Sequence, residues 1–225
     1  TCADRVFALC AREKDRLLEA GVARERLGAL HHPVDCDGLL KAVATRKKAD
    51  VIAKYALPTN KKLIGCFANL YPYKRQDLLI RAIYDLREEA SAWHLVLAGK
   101  GPSLRAYREL TSSLGMESRV SFLGRLPQTE AARLLSCMDA AAHCSSAETF
   151  GVSIVEPPLF GIPMLTTRVG IAFEFERSNQ AVVVEPNSLE AIKRGLRRIL
   201  DPDDDVRMMS ATSPEFVRSN FSVST

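Results

Sequence analysis

The sequence predicts a doubly wound α/β domain built on a parallel sheet, and three observations predict it. From Lys62 onward, short β-branched or aliphatic runs alternate with longer amphipathic segments. The loops after the apolar runs carry the glycines, prolines and polar residues of turns, among them GKGP at 99–102. The third observation is chemical. In SSAETFGVSIVEPPLFGIP, residues 145–163, the carboxylates Glu148 and Glu156 stand eight positions apart around a Phe-Gly turn, in one of the strand-to-helix loops where such sheets bind ligands.

Each element follows in order. Residues 4–10 (DRVFALC), 13–21 (EKDRLLEAG) and 26–35 (RLGALHHPVD) read as strand, helix and strand. A unit that small cannot bury a core of its own. Residues 1–48 therefore read as the tail of a preceding domain plus a polar, helix-prone connector, and residues 49–225 as the main domain. The alternation then gives a strand at 63–68, a helix at 76–90 and a strand at 93–99. A helix at 103–115 follows, with Ser103 as its N-cap and Gly115 past its end. Strand 119–124, helix 129–138 and a buried strand within 138–145 come next. The following Ser, Thr and Gly open a helix carrying Ser153 to Glu156, which leaves Glu148 in the loop and Glu156 about one turn into the helix. Strands at 163–170 and 181–186 and an amphipathic helix at 188–201 complete the pattern. DPDDD at 201–205 reads as a solvated turn rather than a metal-binding pair. The Ser/Thr-rich residues 208–225 read as a loose tail.

Composition narrows the classes of function. A 225-residue chain with 47% hydrophobic and 26% charged residues is that of an ordinary globular protein. The net charge of +4, from 31 basic and 27 acidic residues, is too mild for a nucleic-acid binder but suits an anionic small ligand or peripheral contact with bilayer headgroups. No apolar run approaches the roughly 18 residues of a spanning helix. The six cysteines form no Cys-x-x-Cys pair, which favours neither zinc nor a disulfide framework and fits a reducing cytoplasm, with the cytosolic face of a membrane as the alternative location.

The amides of Phe150, Gly151 and Val152 fall at a helix start, unpaired by the helix and at the positive end of its dipole, where they can hold phosphate or a sugar hydroxyl. Other signals have plainer readings. GKGPSL at 99–104 lacks the third glycine of a dinucleotide fingerprint, and Glu117 precedes its strand instead of ending it. His31 and His32 read as packing at a strand end, and His94 as core. His143-Cys144 reads as a buried strand pair, with no third ligand for a metal and no orienting carboxylate at a suitable spacing.

Four motifs in order carry a family resemblance: ANLYPYKRQDLLIRA, LVLAGKGP, RVSFLGRLP and SSAETFGVSIVE. Together they make residues 26–200 resemble the C-terminal donor-binding domain of retaining glycosyltransferase family 4, one Rossmann-like half of the GT-B architecture. The resemblance implies transfer of a sugar from a uridine or guanosine diphosphate sugar to an acceptor hydroxyl, with no metal or other cofactor. It implies that Lys74 meets the pyrophosphate, that Glu148 holds hydroxyls of the transferred sugar and that Glu156 accepts bonds from the ribose. Thr149, Phe150, Gly151 and Val152 would face sugar and phosphate, and the backbone at Arg125 and Leu126 would read the base. Asn69 stands where the family commonly has an arginine and brings no charge, with Arg75 as the candidate to compensate. Pro157 and Pro158 fall where the family's helix continues, and Glu174 is the candidate for the family's acidic position after Gly170. The family's acceptor domain is not in this sequence, so it is expected in cis or on a partner subunit, and the isolated chain is expected to be inactive. Two other functions remain compatible: a non-catalytic donor-binding subunit, and a nucleotide-sugar epimerase or hydrolase.

Overall fold

A computed structural model describes residues 3–45 and 47–223. It begins with β1 (Val6–Ala8), α1 (Ala11–Glu19) and β2 (Leu27–Ala29), the two strands pairing in parallel as a separate small sheet. The connector then forms two helices, α2 (Cys36–Ala44) and α3 (Lys48–Lys54). Asp35 caps α2 by accepting from the Gly38 amide at 2.8 Å. This first unit has no core of its own. Cys10, Val34, Cys36, Leu39 and Val43 pack in one apolar cluster with Phe150, Val155 and Phe221 from the rest of the chain.

The main sheet follows the alternation read from the sequence: β3 (Lys62–Phe67), α4 (Gln76–Asp85), β4 (Trp93–Ala98), α5 (Leu104–Ser113), β5 (Val120–Gly124), α6 (Gln128–Leu135), β6 (Ala140–His143), α7 (Val152–Leu159), β7 (Met164–Thr167), α8 (Ala172–Arg177), β8 (Val182–Val184) and α9 (Leu189–Leu200). All pairs are parallel, in the order β5-β4-β3-β6-β7-β8. The order reverses direction between β3 and β6. Their carboxyl ends therefore splay apart into a crevice, the expected ligand position in a doubly wound sheet. Both faces are covered, as parallel sheets require. Side chains of α4, α5 and α9 pack one face and those of α2, α3, α6, α7 and α8 the other, while α10 (Asp204–Phe221) gives Val206 and Met209 to the first cluster and Val217 and Phe221 to the second.

Four details differ from the sequence reading. Ser103 precedes α5 but its side chain makes no capping hydrogen bond, and its backbone is already helical. The segment after Gly170, to which the sequence reading assigned no element, is α8, with Ala172 and Phe175 buried. Pro157 and Pro158 do not end α7, which runs on to Leu159 with both prolines buried. Ser213, on α10, donates to the Pro158 carbonyl at 3.1 Å and ties the two helices together. The largest difference is at the C-terminus, where residues 204–221 are one 18-residue helix rather than a turn and a loose tail. Val206, Met209, Ser213, Val217 and Phe221 recur at helical spacing and are all buried. After α10, Ser222 forms a parallel bridge with Val34.

The acidic run starts that helix. Asp203 accepts from the Val206 amide at 2.8 Å, so it is an N-cap, and Asp204 and Asp205 sit in the first turn where the dipole favours them. Asp203→Ala is expected to cost about 1 kcal/mol, a drop of roughly 2–4 °C in Tm for a domain of this size. A thermal melt unchanged by the substitution would return the run to a solvated turn.

Candidate functional site

Two loops at the crevice supply the charged groups. After β3, Pro72–Lys74 forms a single 3-10 turn, and Arg75 takes a left-handed conformation (φ 52°) that starts α4. The turn aims Lys74 back over the sheet edge. The loop is held from behind by the Gly-x-Gly turn after β4. A Cβ at Gly99 would lie 1.9 Å from the Ala68 carbonyl oxygen and one at Gly101 2.2 Å from that of Leu70. These glycines permit backbone to lie against backbone, and the Leu70 amide donates to the Lys100 carbonyl at 2.9 Å.

After β6, the loop carries Glu148 to the mouth of α7. Gly151 is the N-cap with φ 96°, and a side chain there would meet Ile154 Cδ1 at 2.8 Å. No side chain caps the helix. Among the described residues the amides of Phe150, Gly151 and Val152 donate to no protein acceptor. The unpaired donors and the helix dipole make this mouth receptive to an anion.

A cleft of about 370 Å³ joins these parts, lined by Asn69, Lys74, Arg125, Leu126, Glu148, Gly151, Val152 and Glu156 together with Gly99 and Ser153. Eight of the ten residues singled out in the sequence thus converge on one hollow. Thr149 and Phe150 do not line it. Thr149 faces a larger adjoining hollow of about 820 Å³. Phe150 buries its ring, 6.3 Å from His31 and 5.8 Å from His32, while its carbonyl accepts from Ile171. Glu148 lines both hollows and so sits at their junction.

Lys74 Nζ lies 2.5 Å from Glu148 Oε1, both side chains largely buried. His143, only 3% exposed at the end of β6, brings its Nε2 to 3.0 Å from the same oxygen. Among the described residues neither ring nitrogen makes a well-aligned hydrogen bond, so the ring acts on Glu148 through its 3.0 Å proximity. Burial works to raise the Glu148 carboxyl, but the His143 ring and the Lys74 ammonium outweigh it and hold it down at about 2. Glu156 is the opposite case. Among the described residues no group hydrogen-bonds its carboxylate, and burial pushes it up to about 7. One carboxylate is thus firmly anionic and the other waits for donors.

Two expected roles fall elsewhere. Arg75 does not stand in for the charge that Asn69 lacks: its guanidinium pairs with Asp77 at 3.1 and 3.2 Å and donates to Asn187 at 2.6 Å, outside the cleft. Glu174 accepts from the Ala11 amide at 2.6 Å and so fastens the start of α1 to α8. His143 is the residue that sequence reasoning missed as a neighbour of Glu148. Its position at the carboxyl end of a strand beside the switch point was the available signal. Cys10, Cys36, Cys66, Cys137 and Cys144 are buried free thiols, and Cys2 lies outside the described residues. Burial raises Cys66 to about 12, which leaves it inert. Among the described residues no group of three His, Cys, Asp or Glu side chains is arranged to hold a metal ion, and no helix is long and apolar enough to cross a membrane.

The six-stranded parallel sheet with its switch-point crevice has the fold of a GT-B glycosyltransferase domain. The chain belongs to the glycosyl transferases group 1 family, whose model matches residues 47–216. It is 26% identical over 170 residues to a D-inositol 3-phosphate glycosyltransferase of Corynebacterium glutamicum, covering 72% of this chain and 41% of that protein. It is 26% identical over 196 residues to a GDP-mannose-dependent alpha-(1-6)-phosphatidylinositol monomannoside mannosyltransferase of Mycobacterium tuberculosis, covering 84% and 50%. The chain therefore spans half or less of these relatives. Among solved structures, a glycosyltransferase from Rickettsia africae superposes with a TM-score of 0.86 at 21% identity, over 97% of this chain and 59% of that one. Anabaena HepE in complex with UDP-glucose superposes with a TM-score of 0.81 at 22% identity, over 98% and 60%.

Proposed function

We propose that this chain binds a nucleoside diphosphate sugar, uridine or guanosine, as the donor half of a retaining glycosyltransferase. The observation that carries the reading is the single cleft on which Lys74, Glu156 and the α7 mouth converge, with Glu148 at its junction with the larger hollow. The diphosphate would lie between the Lys74 ammonium and the free amides of α7, with Asn69 donating from the third side. The ribose hydroxyls would meet Glu156, and the base would lie along the backbone of Arg125 and Leu126. The transferred sugar would rest on Glu148, within reach of an acceptor hydroxyl entering from the larger hollow. Residues 49–225 would form this half and residues 1–48 would end the preceding domain, which supplies the rest of the acceptor site. The UDP-glucose bound in HepE and the GDP-mannose dependence in the name of the mycobacterial mannosyltransferase support a nucleotide sugar as the ligand.

A thermal-shift panel of UDP, GDP, ADP and their sugars tests this. A uridine or guanosine ligand at 100 times its Kd should stabilise the chain by about 2.7 kcal/mol, or a rise of roughly 5–10 °C. No shift with any member of the panel would refute donor binding.

A further inference from the structure

His143 is a buried titratable ring that the reading above does not use. Its Nε2 lies 3.0 Å from Glu148 Oε1 without forming a well-aligned hydrogen bond, and among the described residues its Nδ1 has no hydrogen-bonding partner. The same carboxylate oxygen is held by Lys74 at 2.5 Å. Two basic side chains therefore compete for one oxygen, and Lys74 takes the good geometry. A buried ring with both nitrogens unpaired carries a desolvation cost, so a persistent arrangement of this kind points to a partner gained in another state.

Donor binding would create that state. The diphosphate attracts the Lys74 ammonium, and each step of Lys74 toward phosphate leaves Glu148 with less compensation. We propose that His143 is the second counter-group of Glu148, taking hold of the carboxylate as Lys74 moves to the diphosphate, so that donor binding is coupled to proton uptake by the His143 ring. The inference rests on the donor reading given above. It makes His143 a positioning residue: it acts through Glu148, keeping that carboxylate ionised and oriented for the sugar after its lysine has been drawn away.

The surroundings leave few other groups to answer for such a proton. Lys74 and Glu148 face the ring from the two crevice loops, and Glu156 is carried by α7 on the same side of the sheet. Cys144 and Cys66 belong to the cluster on the opposite face. From β7 the residue opposite His143 is Thr166, which does not titrate. Glu156 works in the other sense, because hydroxyls donating to it favour its ionised form and release a proton.

The test is calorimetric titration of UDP-glucose and GDP-mannose, whose diphosphates do not titrate near neutrality, in buffers of different ionisation enthalpy between pH 6 and 8. The wild-type chain should bind with uptake of a fraction of a proton relative to H143Q, which should bind within a few-fold and lack that uptake. Equal proton counts in the two proteins would overturn the proposal. A direct measurement needs no variant: the His143 ring signals, followed by NMR at fixed pH, should move toward the protonated form on saturation with donor, and unmoved signals would overturn the proposal equally. If the wild-type chain binds neither sugar nucleotide, it is the donor reading itself that fails, and the coupling falls with it.

Discussion

Lys74→Ala is expected to slow sugar transfer about a thousandfold while weakening donor binding no more than about tenfold. An ammonium about 4 Å from a phosphate charge contributes about 4 kcal/mol at an effective dielectric near 20, and each 1.4 kcal/mol is about tenfold in rate. The two effects separate because of what Lys74 does beforehand. Its ammonium already holds Glu148 at 2.5 Å, so binding a donor exchanges one anion for another and the net gain in the ground state is small. As the sugar leaves, negative charge grows on the departing diphosphate and not on Glu148. The interaction therefore strengthens in the transition state, the only place where it accelerates the reaction. The check is release of nucleoside diphosphate by the full-length protein in single turnover, beside calorimetric Kd values for the same donor. Equal losses in turnover and affinity would mean that Lys74 binds substrate and transition state alike.

Much of this was legible in the sequence because it depends on local rules. The strands of the main sheet announce themselves as short aliphatic runs, and α7 as the stretch after Phe150-Gly151. The layout around Phe150-Gly151 pointed to Glu148 and Glu156, and the family resemblance pointed to Lys74. Their convergence follows from strand order, since β3 and β6 are neighbours at the switch point. What failed to show depends on partners distant in sequence. Residues 204–221 look polar and Ser/Thr-rich, yet their apolar positions form a stripe that has meaning only against α7 and the two clusters it joins. Arg75 looked available for phosphate until Asp77 and Asn187, the latter 112 residues away, were seen to occupy it. His143 looked like a core residue and is one by burial. Only the fold reveals that the loop after it doubles back to set a carboxylate beside its ring.

Glu156 should show stability and function opposed within a single side chain. Its folded-state carboxyl is raised to about 7 from the ordinary 4.5 by burial, so the folded chain holds a proton that the unfolded chain has already lost between those values. Stability from this group is therefore greatest below about pH 4.5 and declines as pH rises to 7. The charge left buried above that costs on the order of 3 kcal/mol. Glu156→Gln removes the charge and is expected to raise Tm at pH 8 while changing little at pH 4. The same substitution should weaken binding of the sugar nucleotide on the order of a hundredfold or more, because two hydroxyl bonds to an ionised carboxylate contribute roughly 1.5–3 kcal/mol each. Wild-type affinity carries the corresponding pH dependence: hydroxyls favour the ionised form, so the contribution of Glu156 is lost as pH falls through about 7. In H143Q that trend should stand alone, without the opposing uptake at the ring. Melting curves at pH 4 and 8 beside calorimetry at pH 6 and 8 measure both halves, and a Glu156→Gln chain that bound donor normally would remove the ribose role from this residue.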